Sequence, residues 1–382
     1  MNDMTPLDYR NRRALFVLGA IAPVALSAAV ASRVAAEPPL AQHYLYESGR
    51  NGYHTYRIPA LVATPRGTLL AFCEGRKNGP GDHGNIDLLV KRSTDDGKSW
   101  SRQQIVYEEG GDEQDITIGN PCPVVDRQTG TVWIAFCRNN RQVLVARSDD
   151  DGLTWSAPRD IAGDVKKPAW GWYATGPGNG IFLSNGAHPG RLVIPCDHTR
   201  TWPAQRGRPY YSHVFYSDDQ GESWRLGGSA GNYNNECAVV ELGDGSLMLN
   251  ARAWDDHRER AIAISRDGGA TWSEVEWDDG LPDPQCQASL VRVDDESERL
   301  LFSNPADRNE RVKMTVRLSL DGGKTWPVAR MLYPGPSAYS SLAVTPQRTI
   351  FCLYEGGQQH PYEWMRLARF ELPWLQQQGT AE

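Results

Sequence analysis

The octapeptide SDDDGLTW at residues 148–155 places three consecutive carboxylates, Asp149, Asp150 and Asp151, directly before a glycine. Three interpretations are open for such a cluster: a metal site, a group of catalytic carboxylates, or a turn whose acidic side chains take no part in chemistry. The rest of the chain separates them, because the pattern Ser-x-Asp-x-Gly-x-Ser/Thr-Trp occurs five times. The copies are STDDGKSW (93–100), SDDDGLTW (148–155), SDDQGESW (217–224), SRDGGATW (265–272) and SLDGGKTW (319–326).

Only one carboxylate, at the third position, is common to all five copies, which we call Asp boxes. An aspartate that accepts backbone N–H groups across a turn, a glycine that allows positive φ and a tryptophan packed between sheets form a self-contained hairpin. If all five boxes were metal sites, each would offer only the one carboxylate that is common to all copies, and such a site would bind a metal ion poorly. The Asp boxes are therefore predicted to be structural turns, and the sequence predicts no metal site.

The spacing of the Asp boxes predicts the fold. They recur roughly every fifty to seventy residues, an interval that favours a propeller array. Four short strands surround the first box (RIPALVAT, TLLAFCEG, IDLLVKRS and RQQIVYE), and four strands joined in sequence make one antiparallel blade. Comparable units begin near residues 120, 180, 236 and 288, and a sixth unit without a box has three strands, with QHYLYES at residues 42–48 as its fourth. We predict an all-β, six-bladed β-propeller in one domain, residues 42–375, followed by a C-terminal tail, residues 376–382.

The first 36 residues have the pattern of an export signal. Arg12 and Arg13 precede an uncharged, alanine-rich stretch from Ala14 to Ser32, and small residues follow at which a signal peptidase can cut. The paired arginines resemble a twin-arginine signal. An uncleaved membrane anchor is the alternative, which the weak hydrophobicity of alanine disfavours. The prediction is a periplasmic or secreted protein with no stable membrane span after the signal is cleaved.

Charge and cysteine content exclude two further classes. The formal net charge of −7 argues against a nucleic-acid partner, although it leaves room for a local basic pocket. The seven cysteines are an odd number, and four of them lie in apolar runs such as LLAFC and WIAFC. They are expected to be small buried residues of strands instead of a disulfide framework or a zinc site.

Antiparallel order separates the two faces of the predicted propeller. Every Asp box follows the third strand of a blade. The starts of first strands, the ends of second strands and the loops between second and third strands therefore lie on the opposite face, where function is expected. The polar residues at those positions are Arg57, Arg76, Asp82, Asp115, Arg138, Glu236, Arg252, Arg311, Tyr339 and Glu355.

These positions lie in or next to segments that resemble the exo-α-sialidases. The segments are YRIPALV, EGR followed by Asp82, NPCP, TGPGNGI, NNE, ARAW, SNPADRNERVKMTVRLS, PGPSAYSSL and LYEGG. With the five Asp boxes, they match the family in order over nearly the whole chain after the signal. The resemblance implies removal of terminal sialic acid from sialylated glycans, without a metal or an organic cofactor.

The resemblance also implies roles for individual residues. Arg57, Arg252 and Arg311 would form an arginine triad that binds the substrate carboxylate. Tyr339 would be the nucleophile, Glu236 its base and Asp82 the acid/base. Glu355 would brace Arg57. From their position on the same face, Arg76 and Asp115 are predicted to support substrate binding.

Several alternatives stay open at this point. His83 and Asp87 lie close to Asp82 in the sequence, although Asp87 fits better in the strand that follows. The aromatic residues Trp170, Trp172 and Tyr173 are expected either to contact the substrate or to pack in the core. For the whole protein, a propeller lectin that binds sialylated glycans and a hydrolase of another anionic sugar, such as deaminated sialic acid, are the competing functions.

Overall fold

The computed structural model describes residues 40–377 apart from 112, 202–208, 233, 255 and 296. The predicted export signal (1–36) and residues 378–382 of the predicted tail lie outside the described residues. The described part is almost entirely β-structure, with two short helices, α1 (Ala162–Val165) and α2 (Leu372–Gln376). No helix within this part is long and apolar enough to cross a membrane.

The strands follow one another in antiparallel sheets in chain order. After β1 (Leu40–Glu47), the first sheet has the order β2 (Thr55–Ala63), β3 (Leu69–Arg76), β4 (Ile86–Ser93) and β5 (Gln104–Tyr107). The second sheet has the order β6 (Ile118–Val125), β7 (Val132–Arg138), β8 (Gln142–Ser148) and β9 (Arg159–Asp160). Sequential pairing of this kind is what the predicted blades require.

The third sheet departs from the predicted pattern in its first strand. Two short segments, β10 (Tyr173–Thr175) and β11 (Ile181–Phe182), both pair with β12 (Leu192–Thr199), which continues to β13 (Tyr210–Ser217) and β14 (Arg225–Ala230). The sequence predicted a single strand from residue 180. The ladder is interrupted at GPGNG, because Pro177 has no N–H to donate and Gly176 and Gly178 have positive φ.

The remaining strands form a four-stranded and a seven-stranded sheet. The fourth sheet is β15 (Asn234–Glu241), β16 (Leu247–Ala253), β17 (Glu259–Ser265) and β18 (Glu276–Pro282). The last contains β19 (Ser289–Arg292), β20 (Leu300–Pro305), β21 (Val312–Ser319), β22 (Val328–Val344), β23 (Ile350–Gly356) and β24 (Trp364–Phe370), with β1 antiparallel to β24 at its edge. The N-terminal strand therefore occupies the edge that the sequence predicted for residues 42–48.

One long strand joins what the sequence presented as two blades. The part of β22 up to Pro336 pairs with β21, and the part from Ser337 onward pairs with β23. The sequence predicted two strands here, since Pro334, Gly335 and Pro336 are typical of a turn. The strand stays extended and only changes its partner, so hydrogen bonding gives five sheets instead of the predicted six. The fold class observed is all-β and propeller-like.

The buried core is shared between consecutive sheets. Phe72 and Phe136 lie in one buried cluster, Val214 and Val239 in another, and Leu61 of the first sheet packs with residues of the last. The strands β2, β6, β11, β15, β19 and β22, which we call the inner strands, line a cavity of about 460 Å³. All seven cysteines are buried with free thiols, as expected for small apolar residues in strands.

All five Asp boxes form the same hydrogen-bonded turn. In the second box, Ser148 Oγ donates to Asp150 Oδ1 (2.8 Å), Gly152 N donates to Ser148 Oγ (2.8 Å), and Thr154 donates to Asp150 through its amide (2.8 Å) and its hydroxyl (2.5 Å). The same four bonds occur in the other boxes, and each box glycine has positive φ. The carboxylate is used within the turn, so the structural interpretation is confirmed.

The box turn predicts acid sensitivity of the fold. Hydrogen bonds from Thr154, and then from Ser148, lower the pKa of Asp150 to about 2, whereas an unfolded aspartate titrates near ~3.9. The carboxylate therefore stabilises the fold fully above about pH 4 and loses this contribution as the pH falls toward about 2. In thermal melts between about pH 4 and about pH 2, we expect the Tm of Asp150→Asn to fall less than the Tm of the wild type. The matched control is Asp149→Asn, and an equal acid-induced loss in Asp150→Asn and wild type would contradict the prediction.

Candidate active site

β-Bulges re-aim the inner strands where they reach the predicted functional face. A bulge sets two residues against one, takes the extra residue out of the ladder and redirects the neighbouring side chains. The bulged segments are Arg57–Ala60 in β2, Gly119–Cys122 in β6, Asn234–Cys237 in β15 and Ser337–Ser340 in β22. Three of these segments contain Arg57, Glu236 and Tyr339. The segments of β15 and β22 lie opposite Arg252 and Glu355, so bulge and partner strand together supply the site.

Arg57 is fixed by a buried carboxylate. Its Nε and Nη2 atoms donate to the two oxygens of Glu355 at 2.9 and 3.2 Å, and Glu355 is fully buried. The same carboxylate accepts the amides of Ile58 (2.8 Å) and Tyr339 (3.0 Å). Ile58 has φ of 61°, a strained conformation for a β-branched residue. Glu355 thus holds together Arg57, the strained bulge after it and the backbone of Tyr339.

Tyr339 lies in a hydrogen-bonded group with Glu236 and Arg252. The Tyr339 hydroxyl donates to Glu236 Oε1, and Arg252 Nη1 donates to Glu236 Oε2 (2.6 Å) and to the Tyr339 hydroxyl (3.2 Å). Burial, followed by the Glu236 charge, raises the pKa of Tyr339 well above its usual value, and Arg252, Arg311 and Arg57 oppose that rise in part. The phenol is therefore neutral at neutral pH, with a carboxylate positioned to take its proton.

Arg311 completes the set of guanidiniums around the phenol. The Cζ atoms of Arg57 and Arg311 lie 4.9 and 5.8 Å from the centre of the Tyr339 ring. Arg311 donates to the backbone oxygen of Gln285 (2.8 Å) and to the hydroxyl of Tyr362 (3.2 Å). Three guanidiniums around one phenol form a site for a planar anion, because each can form charge-assisted hydrogen bonds with a carboxylate.

Asp82 lies at the exposed side of this group. Its side chain is 76% exposed, and Oδ1 accepts from Arg76 Nη1 (2.9 Å) and lies 3.6 Å from Arg57 Nη1. Arg76 is buried and also donates to Glu74 Oε2 at 2.9 and 2.7 Å. Partial desolvation favours the neutral acid, but the charges of Arg76 and then Arg57 outweigh it and lower the pKa of Asp82.

The structure separates Asp82 from the neighbouring candidates. Asp87 is part of β4, where it is fully buried and accepts from the Tyr53 hydroxyl (2.6 Å), as the sequence suggested. His83 is exposed. Asp115 is exposed in the segment before β6, and within the described residues it has no hydrogen bond or ion pair with the arginines. The structure therefore groups eight of the nine predicted site residues, and Asp115 is the exception.

The aromatic run divides between core and surface. Trp170 and Tyr173 are buried in the cluster between the second and third sheets, and Trp170 stacks on His198. The core-packing alternative is confirmed for these two residues. Trp172 is partly exposed and contacts Tyr210, which in turn packs against Trp254 beside Arg252.

Sequence reasoning missed several residues of the site. Glu74 precedes Arg76 by two positions on β3, so strand alternation could have revealed it as a same-face partner. Tyr362 follows β23 in the loop GQQHPYE, on the predicted functional face. Asp197 on β12 is fully buried, and burial followed by the Glu236 charge raises its pKa well above the usual value, opposed in part by Arg252. The raised pKa favours the protonated form of Asp197, and the carboxylate that pairs with Arg252 is that of Glu236.

No group of three or more His, Cys, Asp or Glu side chains in the described part of the chain is arranged to hold a metal ion. The site itself brings together arginines, a phenol, the carboxylate of Glu236 that accepts from this phenol, and the exposed carboxylate of Asp82. The arginines can bind an anion, the phenol with its carboxylate partner can act as a nucleophile, and the exposed aspartate can exchange protons.

Comparison with known proteins identifies the family to which this chain belongs. Residues 67–352 match the BNR repeat-like domain. Over 365 residues the chain is 36% identical to a sialidase of Micromonospora viridifaciens, covering 89% of this chain and 55% of that protein. It is 30% identical to an exo-alpha-sialidase of Arthroderma benhamiae over 85% of each chain. The solved structure of Hadza microbial sialidase Hz136 matches with a TM-score of 0.78 and 31% identity, over 87% of this chain and 69% of that one.

The repeats and the fold thus define a propeller-like protein built from BNR repeats. Within that class, the chain belongs to the exo-α-sialidases, a family of glycoside hydrolases. It spans little more than half the length of the Micromonospora relative.

Proposed function

We propose that this protein is an exo-α-sialidase that hydrolyses terminal α-linked sialic acid from sialylated glycans. The observation that carries the proposal is the hydrogen bond from the buried Tyr339 hydroxyl to Glu236 within a group of three arginines. A carboxylate nucleophile would be repelled by the carboxylate that sialic acid carries on its anomeric carbon. A neutral phenol avoids this repulsion, and sialidases are known among glycosidases for a tyrosine nucleophile.

The arginines account for substrate binding in this scheme. Arg57, Arg252 and Arg311 bind the sialic acid carboxylate, and Glu355 keeps Arg57 in orientation. Binding this anion offsets the positive charge that lowers the pKa of Asp82, so the acid becomes easier to protonate in the complex. Arg76 and Asp115 assist substrate binding, Arg76 through its contact with Asp82 and Asp115 from the segment before β6.

The reaction proceeds by double displacement with retention of configuration. The Tyr339 oxygen attacks the anomeric carbon while its proton passes to Glu236, and Asp82 gives its proton to the departing glycosidic oxygen. Water then attacks the tyrosyl-linked anomeric carbon, Asp82 takes a proton from this water, and Glu236 returns its proton to the tyrosine oxygen. Side chains supply every proton transfer, so the scheme needs neither a metal ion nor an organic cofactor.

Two wider proposals accompany the catalytic one. We propose that the seven-stranded sheet acts as two blades joined by β22, since its two halves pair with different partners and six inner strands line the central cavity. The twin-arginine-like signal at residues 1–36 supports export to the periplasm or the outside of the cell.

A product assay tests the proposal against its alternatives. Purified protein is incubated with the 4-methylumbelliferyl α-glycosides of sialic acid and of deaminated sialic acid, and with the corresponding uronide. Release from the sialoside at the highest kcat/KM supports the proposal. Binding to sialyllactose without release of sugar would identify a lectin, and faster release from another glycoside would identify a hydrolase of that anionic sugar.

The role of Asp82 gives a prediction that depends on the leaving group. We expect Asp82→Asn to lower kcat/KM for sialyllactose about 10²-fold, because the alkoxide leaving group needs a proton. The methylumbelliferyl sialoside should lose less, because its phenolic leaving group is more acidic. Steady-state kinetics on both substrates measure the difference, and His83→Asn serves as the neighbouring control. Equal losses on the two substrates would contradict the acid role.

A further inference from the structure

Tyr362 contacts two of the three arginines around Tyr339. The Cζ atom of Arg57 lies 3.9 Å from the centre of the Tyr362 ring, and Arg311 Nη1 donates to the Tyr362 hydroxyl at 3.2 Å. The ring packs at the edge of the small buried cluster that contains Ile58 and Tyr339. Tyr362 therefore contacts the guanidinium of Arg57 at the bulge of β2 and the guanidinium of Arg311, the residue directly before β21.

The loop that carries Tyr362 is itself anchored. The backbone oxygen of Tyr362 accepts from Ser48 Oγ (2.8 Å), and the amide of Tyr362 donates to His360 Nδ1 (3.1 Å). The next residue, Glu363, accepts the amides of Gln358, Gln359 and His360 through its carboxylate. The phenol is thus presented to the arginines from a hydrogen-bonded loop between β23 and β24.

The three arginines differ in how their charges are balanced. Arg57 is paired with Glu355, and Arg252 with Glu236. In the described part of the chain, the polar partners of Arg311 are two neutral oxygens, those of Gln285 and Tyr362, and no carboxylate lies within ion-pair distance. An aromatic face attracts a cation and a hydroxyl accepts from a guanidinium, and neither contact cancels the positive charge.

We propose that Tyr362 is a positioning residue that holds Arg311 and Arg57 at a common spacing through neutral contacts, and so reserves the charge of Arg311 for the carboxylate of the substrate. The inference rests on the proposed function, because it assigns the anion to that site. Tyr362 itself need not touch the reacting atoms. Its loss should therefore weaken recognition of the carboxylate and leave the chemical step largely intact.

Tyr362→Phe tests the hydroxyl alone. We expect KM for the methylumbelliferyl sialoside to rise about tenfold, the size expected for one lost hydrogen bond to a charged group, with kcat changed less than about twofold. Tyr362→Leu also removes the aromatic face and should raise KM a further few-fold. Tyr333→Phe is the matched control, because the Tyr333 hydroxyl donates to the Gly357 oxygen at the base of the same loop and does not touch the three arginines.

A second measurement separates carboxylate recognition from general damage to the loop. Affinity is measured for the 2,3-dehydro analogue of sialic acid and for its carboxamide. Tyr362→Phe should weaken binding of the carboxylate about tenfold and leave the carboxamide nearly unchanged. A wild-type KM in Tyr362→Phe, an equal rise in Tyr333→Phe, or equal losses for both analogues would overturn the inference. Failure of the proposed function is distinguishable, because the wild type itself would then release no sialic acid.

Discussion

Replacing Tyr339 with phenylalanine is expected to lower kcat for sialyllactose by at least about 10³-fold. The phenyl ring preserves the packing against Ile58, Cys286 and Ala338, and only the hydroxyl that donates to Glu236 is removed. Without this oxygen no tyrosyl-linked intermediate can form. Residual hydrolysis would come from water and from the binding of the carboxylate by the arginines.

The control for this substitution is a second buried tyrosine. Tyr354→Phe removes a hydroxyl that donates to Gln42 on β1, the edge strand of the same sheet, and leaves Arg57, Arg252 and Arg311 untouched. Tyr354→Phe should retain the wild-type kcat. Both variants should keep a Tm close to that of the wild type; in Tyr339→Phe this is because Arg252 still pairs with Glu236. A Tyr339→Phe enzyme that hydrolyses sialyllactose almost as fast as the wild type would contradict the nucleophile assignment.

The stereochemical course gives an independent readout of the same step. Two displacements at the anomeric carbon restore the configuration of the substrate, so the α-anomer of sialic acid should form first. Proton NMR during the first minutes of turnover distinguishes it from the β-anomer that mutarotation produces later. Initial release of the β-anomer would contradict the covalent scheme even if Tyr339→Phe were inactive.

The features that the sequence predicted best are those set by local interactions. The Asp box is an example, because Asp150, its acceptor bonds and the positive φ of Gly152 all lie within eight residues. The functional face followed from strand order alone, and strand order also separated Asp82 from Asp87. Such features depend on hydrogen bonding and backbone conformation over a few residues, which residue types report directly.

The features that the sequence missed depend on contacts between distant segments. Tyr362 and Arg57 are 305 positions apart, and nothing in PYEW identifies a cation as the neighbour of its ring. The raised pKa of Asp197 likewise arises from burial beside Glu236, a residue of another sheet. The continuous strand through PGP was missed for a different reason: proline and glycine usually mark a turn, but here Pro336 lies where the strand changes partner. The preference of proline and glycine for turns was overridden here by the pairing of β22 with β21 on one side and with β23 on the other.

The second large effect concerns Glu355. We expect Glu355→Gln to lower the free energy of unfolding by about 3–5 kcal/mol, because it removes the buried counter-charge of Arg57 and leaves it only the exposed carboxylate of Asp82, 3.6 Å away. Spread over the unfolding entropy of a domain of this size, the loss corresponds to a fall in Tm of about 4–7 °C. The amide of glutamine also brings N–H donors toward Arg57 and the amides of Ile58 and Tyr339, which all require an acceptor.

Activity should fall together with stability, because the same carboxylate orients a binding residue and the backbone of the proposed nucleophile. Glu222→Gln is the matched control: it breaks an exposed Arg–Glu pair of similar length, 2.9 Å with Arg147, and should change stability by less than about 0.5 kcal/mol. The double variant Glu355→Gln with Arg57→Gln removes both charges, so it should recover part of the lost Tm without recovering kcat/KM. Thermal melts and steady-state kinetics on the four proteins measure both effects. If the double variant were no more stable than Glu355→Gln alone, the instability would come from the strained bulge at Ile58 instead of from the buried charge of Arg57.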